Sequence, residues 1–409
     1  MKNNEANIDS TKARYFINKL INFLGGNNVE KCIKKYKRSL EISGPVFRDY
    51  YLKKRHPWWE ALSEVYEIIN SGEVLKNNLT PEIIMLVGDA KKIITLQHFM
   101  PDSVKEKYKK DLLDDENAKN YLFEIAIAWH FYLRDASIEW YDKKEGKQPE
   151  YLVRTPAFEF NVECKRINID IARKVKRKDF YRFSDLILPE IEKKKYSGKI
   201  EVLLKGRLEE DDNYFNSLKT QIIQVIDGVK SGIMKGEQQI PLGKISFDLI
   251  HSNREPINIR DYYTSLLQRK PENAHAVILT EPLNNQYTNP IEIMMSSEKK
   301  EGVVEAIREV ITTAGRDQLY CDKPGLITCF LEGIEESDLE KLKSNSALQV
   351  MTYNQLNKSE FSHVMAVSYT AEQRISKSYN VDTFNYPQLL FRNPTCKYED
   401  AKNIPIGVS

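Results

Sequence analysis

One stretch constrains the fold of this chain more than any other. Residues 118–133, AKNYLFEIAIAWHFYL, have helical character, are apolar almost all round, and are interrupted by a single acid, Glu124. A helix that is apolar on every side has to be covered on every side. Three short segments with strand character follow it: SIEWYD (137–142), PEYLV (149–153) and AFEFNVECK (157–165). A Lys/Gly-rich turn joins the first two, Arg154-Thr155-Pro156 joins the last two, and the third alternates apolar and polar residues as a half-buried strand does. The longest apolar run, Ile125 to Leu133, is about half the roughly 18 residues that a bilayer span needs, so no membrane location is expected.

Around this block the pattern is mixed. From Ala13 to Leu113 apolar residues recur at three-and-four spacing, which predicts a helical region over 1–113. Residues 170–297 start with a basic, helical stretch and go on through IEVLLKG, NYFNSLKTQIIQVIDGVKSG, KISFDLIHS, AHAVILTE and IEIMMSS, a second block of strands and helices. A helix from Gly302, a strand GLITCFLEG from Gly325, a short helix and a strand HVMAVSYT from His363 come next. The tail, 372–409, carries turn signals and little period. The expected class is α/β (α+β).

Charge is balanced overall, 61 Lys+Arg against 59 Asp+Glu, but unevenly spread. The first sixty residues hold thirteen basic and six acidic side chains, and residues 165–207 hold fourteen and six. Such basic surfaces suit a polyanionic partner. The five cysteines are scattered without a CxxC spacing, and the six histidines form no HxH or HExxH cluster. Metal chemistry would therefore rest on carboxylates. The polar start lacks the apolar core of a secretory signal, which fits a cytoplasmic protein. No GxxxxGK[ST] or GxGxxG is present, so neither an ATP motor nor a dinucleotide site is expected.

The chemistry-bearing residues are Pro149-Glu150, twelve intervening residues, and Glu163-Cys164-Lys165. Residues two apart on a strand share a face, so Glu163 and Lys165 stand together and Cys164 points away. If the preceding strand pairs antiparallel, Glu150 comes to lie across from Glu163 in one cleft. Two carboxylates and the Cys164 backbone carbonyl form a hard oxygen site suited to Mg²⁺. Lys165 would position the attacking water and neutralise developing charge on phosphate.

These residues resemble the signature of the PD-(D/E)xK nuclease superfamily, with its restriction-endonuclease-like fold. The motif is Pro149-Glu150 with Glu163-Cys164-Lys165; Glu150 stands where the family usually has Asp, and Arg166 ends a typical form of its third strand. The resemblance covers residues 118–168 directly, and by order alone the later helix and strands. It implies a discontinuous core over 114–169 and 298–371, split by a basic α+β insertion over 170–297, with Glu124 as an auxiliary acid on the first helix. It implies a nuclease using Mg²⁺, with Mn²⁺ as substitute, acting on DNA before RNA in prokaryotic restriction or anti-phage defence, as a homodimer or with a partner subunit. The basic residues Arg166, Arg173, Lys174, Lys176, Arg177 and Lys178 would grip phosphates. The Glu150 departure supports a rival reading, a catalytically defective nuclease fold that binds nucleic acid or assembles a defence complex.

Overall fold

The computed structural model describes the chain apart from residues 1–9, 143–147, 195, 229–234, 252–256, 259–260, 263–264, 267–268, 272, 284–285, 335, 345, 372–373, 379–380, 386–387 and 404–409. The turn expected between the first two strands falls on 143–147, outside the described residues. In chain order the longer helices are α1 (Ala13–Leu24), α2 (Gly26–Ile42), α3 (Trp59–Asn70), α4 (Pro81–Leu96), α5 (Asp102–Asp111) and α6 (Ala118–Tyr132). They continue as α7 (Arg177–Lys194), α8 (Asp212–Asp227), α9 (Val303–Thr313), α10 (Glu336–Ser344) and α11 (Ala347–Leu356). The protein is mixed α and β and divides into two compact units, residues 1–39, 55–169 and 303–409, and residues 40–54 and 170–302.

The first unit is built on a six-stranded sheet. Its strands are β1 (Ser137–Trp140), β2 (Tyr151–Arg154), β3 (Glu159–Asn168), β9 (Gly325–Glu332), β10 (Val364–Thr370) and β13 (Gln388–Arg392), in that spatial order. β1, β2 and β3 pair antiparallel, β3, β9 and β10 pair parallel, and β13 closes the edge antiparallel. Parallel neighbours need long crossovers. The helices α9, α10 and α11 lie in them and cover one sheet face, where Ile307, Ile311 and Leu348 bury against Ile167, Ile327 and Leu331. Helix α6 covers the other face, with Phe123 against Phe330 and Phe131 against Phe160 at ring separations of 5.7 and 5.3 Å. Both faces of the central strands are thus dry, and every residue of β9 and β10 is buried.

The tail is more ordered than its sequence suggests: β11 (Arg374–Ser378) and β12 (Val381–Asn385) pair antiparallel in a two-stranded sheet, and β13 joins the six-stranded one. Leu389 and Phe391 of β13 alternate inward, and five residue pairs join β13 to β10. Alternation was present in QLLFR, but Leu390 fills the intervening position and obscures the period.

The second unit carries a five-stranded sheet of β4 (Tyr196–Leu204), β5 (Lys235–Ile240), β6 (Gly243–His251), β7 (His275–Leu283) and β8 (Gln286–Ser297), in spatial order β5-β6-β4-β8-β7. Its core joins Phe180, Phe183 and Ile187 of α7 and Phe215, Leu218 and Ile222 of α8 to Ile200, Val202, Ile245 and Ile293. The expected helical region 1–113 is not one body, because residues 40–54 group with this unit. Val46 enters its core, and the Asp185 carboxylate accepts hydrogen bonds from the Val46 and Phe47 backbone N–H groups at 2.7 and 2.8 Å. Gly44 leaves room for that carboxylate, since a Cβ there would meet Asp185 at 2.3 Å. Replacing Asp185 with Ala should lower the stability of this unit by about 2 kcal/mol, the size expected for losing charge-assisted hydrogen bonds at a half-exposed site. Asp185→Asn should recover part of it; equal urea midpoints for all three proteins would refute the clamp.

Candidate active site

Strand β3 sits between β2 and β9 with an unbroken parallel register to β9, from Asn161 opposite Gly325 to Asn168 opposite Glu332. Regular alternation therefore sorts its residues between two faces. Glu163, Lys165 and Ile167 face the α9–α11 side, with Ile327 and Cys329. Val162, Cys164 and Arg166 face the α6 side, where Thr328 and Phe330 also point.

On the first face Glu163 is fully buried, and its Oε1 accepts from Lys165 Nζ in direct contact. The Lys165 side chain is 22% exposed, so its ammonium group bridges the buried carboxylate and the surface. Burial, opposed by the Lys165 charge and aided by that of Glu163, raises the neighbouring Cys329 thiol to about 12. That thiol stays protonated.

Glu124 belongs to the other face. Glu124 is 7% exposed, and the hydroxyl of Tyr108, on α5, donates to its Oε2 at 2.5 Å. Neither Arg134 nor Lys165 is its hydrogen-bond partner in this contact; Arg134 instead donates to His130, one helical turn earlier. The Tyr151 hydroxyl donates to the Glu124 backbone carbonyl at 3.3 Å and lies 3.6 Å from Cys164 Sγ, which also accepts from Thr328 Oγ1. Burial first, then the charges of Glu124 and Glu150, pushes Tyr108 well above the ordinary phenol range. Burial with the same two charges raises the Cys164 thiol. Tyr108 therefore remains a donor and holds Glu124 as an acceptor.

The β2–β3 ladder does not set the Glu150 backbone directly opposite Glu163. Glu150 N donates to the Val162 carbonyl, although Val162 already faces Tyr151 in the β2–β3 register. The ladder is offset by one residue at this point, so Glu150 does not take the place opposite Glu163 that strict continuation would give it. The groups that feel its charge are Tyr108, Tyr121 and Cys164, all with Glu124.

Carboxylate and carbonyl oxygens have the right chemistry for Mg²⁺, but a cage requires convergence on one point. Among the described residues no three His, Cys, Asp or Glu side chains are placed to hold a metal ion. The expected set of Glu150, Glu163 and the Cys164 carbonyl would supply two carboxylates and one backbone oxygen, of which Glu163 is fully buried against Lys165.

The basic residues expected to grip phosphate are largely engaged. Arg166 forms ion pairs with Glu332, Nε to Oε2 at 2.8 Å and Nη2 to Oε2 at 2.6 Å, and donates to the Glu116 carbonyl. Lys119 of α6 holds the other Glu332 oxygen at 2.8 Å. Burial pushes the Glu332 carboxyl up, but the Lys119 and Arg166 charges outweigh it and hold the pKa low. In the second unit Arg177 pairs with Asp170 at 3.0 Å, Lys178 with Glu210 at 3.0 Å, and Arg173 donates to His275 at 3.4 Å. Lys174 and Lys176 are half-buried.

Sequence reasoning missed Tyr108, Tyr151 and Glu332. Glu332 ends an apolar strand, but only the β3–β9 register reveals that it lies beside Arg166's strand. The tryptophans Trp58, Trp59, Trp129 and Trp140 are all buried and fill cores. No protein-family model, no curated protein and no solved structure matches this chain, so its residues and their geometry are what carry a functional reading.

Proposed function

We propose that this protein hydrolyses phosphodiester bonds in nucleic acid, DNA before RNA, with a restriction-endonuclease-like core in its first unit. The observation that carries the reading is the Glu163–Lys165 pair on the central strand, a fully buried carboxylate in contact with a lysine that still reaches solvent. Burying two charges costs several kcal/mol per ion, and a hydrophobic pair could fill such a position as stably. Retained buried charges are candidates for chemistry. Glu163 fixes the lysine, and the Lys165 ammonium group, held rigidly at the edge of the dry interior, can neutralise charge developing on a phosphate oxygen. The order helix, three strands, helix, strand in the first unit supports the same reading. A role in prokaryotic defence follows only by analogy.

A second reading has its own observation. Glu124 lies on the sheet face opposite Glu163, bound by the Tyr108 hydroxyl, as in a site that has lost its metal cage, which favours a nuclease-fold subunit that binds nucleic acid without cutting it. Plasmid, linear and single-stranded DNA, and RNA, incubated with the protein in Mg²⁺, Mn²⁺ or chelator separate the two. Cleavage lost in Glu163→Gln and in Lys165→Met supports hydrolysis, and its metal dependence is read from the same lanes. Binding without cleavage in every condition selects the second reading.

A further inference from the structure

Of the six cations expected to contact nucleic acid, Arg166, Arg177 and Lys178 are locked in ion pairs, which calls for a further surface to supply phosphate contacts. Helix α2 in the first unit offers one. Val29, Ile33 and Tyr36 bury one side of it, while Lys31, Lys34, Lys35 and Arg38 are all exposed. At 100° per residue these four lie within an arc of about 100° centred opposite the buried side, and they extend about 10 Å along the axis. No acid falls inside the arc; Glu30 and Glu41 flank it. Among the described residues none of the four forms an ion pair, whereas Lys37, on the flank, is taken by Glu67 at 2.8 Å.

Such an arrangement works against the helix. Lys31 with Lys34, Lys31 with Lys35, and Lys34 and Lys35 with Arg38 are like charges at three- and four-residue spacing, each pair unfavourable by a few tenths of a kcal/mol. A face selected only for solubility intersperses acids at those positions. A row of cations without acids is complementary to a row of phosphates, because each neutralised phosphate releases condensed counterions and the repulsion within the row is relieved on binding.

We infer that the exposed face of α2 is the phosphate-backbone contact of this protein, formed by Lys31, Lys34, Lys35 and Arg38 and independent of base sequence. The inference rests on the nucleic-acid reading proposed above and adds to it the docking surface. It commits to the nucleic-acid backbone in preference to an anionic membrane.

The test uses the full chain, a short fluorescein-labelled DNA duplex and chelator to prevent cutting, with Kd measured between about 50 and 200 mM salt. In the variant combining Lys31→Gln, Lys34→Gln, Lys35→Gln and Arg38→Gln, affinity should fall on the order of 100-fold and the slope of log Kd against log salt should shrink by about 3. The Lys37→Gln variant, whose ammonium group Glu67 already holds, should change either quantity far less. The four substitutions are exposed and remove repulsion, so the circular dichroism spectrum and melting temperature should hold, which guards against misfolding. Wild-type binding that is unchanged in the fourfold variant overturns the inference while leaving the nucleic-acid reading intact. Absence of wild-type binding to duplex, single-stranded DNA and RNA overturns both. Phosphatidylserine vesicles bound through the same four residues, with no nucleic acid bound, would assign the surface to membranes and also overturn it.

Discussion

Lys165→Met should abolish cleavage and also destabilise the first unit by about 3–5 kcal/mol, because it strands the Glu163 carboxylate in the sheet interior with its cation removed. Glu163→Gln should be milder, on the order of 1–2 kcal/mol, since Lys165 is part-exposed and can turn its ammonium group to water. The double variant discriminates structure from chemistry. With both charges gone the burial penalty disappears, so it should be more stable than Lys165→Met alone, with a coupling of about 1–3 kcal/mol in the cycle. Its cleavage should stay at the level of the worse single variant, at least about 100-fold below wild type, because the phosphate still lacks its cation. Urea unfolding and plasmid nicking on the same four proteins give both cycles. A double variant that regains stability and cleavage together would show that Lys165 serves the fold alone.

The same pair shows what a sequence reveals. Spacing within one strand is a local property, and alternation in AFEFNVECK puts Glu163 and Lys165 on one face whatever the surroundings. The all-round apolar pattern of α6 likewise required cover, and α6 is buried along nearly its whole length. Pairing between strands is not local. The place of Glu150 depends on a one-residue offset against Val162, and nothing in PEYLV marks it. The face to which α6 turns Glu124 depends on tertiary packing against α5, where Tyr108 waits. Glu124 and Glu163, which looked like members of one cluster, therefore fall on opposite faces of the sheet.

Charge runs mislead for a related reason. RKVKRK reads as a basic arm, but Asp170 and Glu210, distant or only moderately close in sequence, take up Arg177 and Lys178. Helix α2 reads as ordinary amphipathic sequence, and among the described residues its Lys31, Lys34, Lys35 and Arg38 form no ion pair, although Lys37 pairs with Glu67. Helix α11, ALQVMTYNQL, escaped notice because its buried residues, Leu348, Met351, Thr352, Gln355 and Leu356, include two polar side chains that belong to no apolar stripe. Thr352 is satisfied by Tyr369 at 2.8 Å and by its own helix, and Gln355 donates to Thr312, so polar residues occupy core positions that a hydrophobic pattern skips.

Acid should unfold the first unit well before its carboxylates titrate, and buried histidines set the window. His56 is 2% exposed; its Nδ1 accepts from Trp58 N, its Nε2–H donates to the Leu112 carbonyl at 3.0 Å, and its ring stacks on Trp59 at 3.8 Å. Both ring nitrogens are used by the neutral tautomer, and burial pushes its pKa down to about 4. Burial and the Arg134 charge push His130 down to about 3. Each folded value lies below the ordinary 6.5, so between the two values the unfolded chain binds protons that the folded chain refuses. Their contribution is fully present above about pH 6.5 and is lost as pH falls toward 4 and 3. Near pH 5 the two histidines give a slope of about 2.5 kcal/mol per pH unit. Glu332, held low by Lys119 and Arg166, adds loss only below the ordinary carboxylate range, so the decline between about pH 6.5 and 5 isolates the histidines. Urea midpoints should fall across that interval, and His130→Gln, which cannot take up the proton, should show a shallower slope, the remainder coming from His56 and from His363, which burial also lowers. Midpoints flat from pH 6.5 to 5 would contradict the assignment.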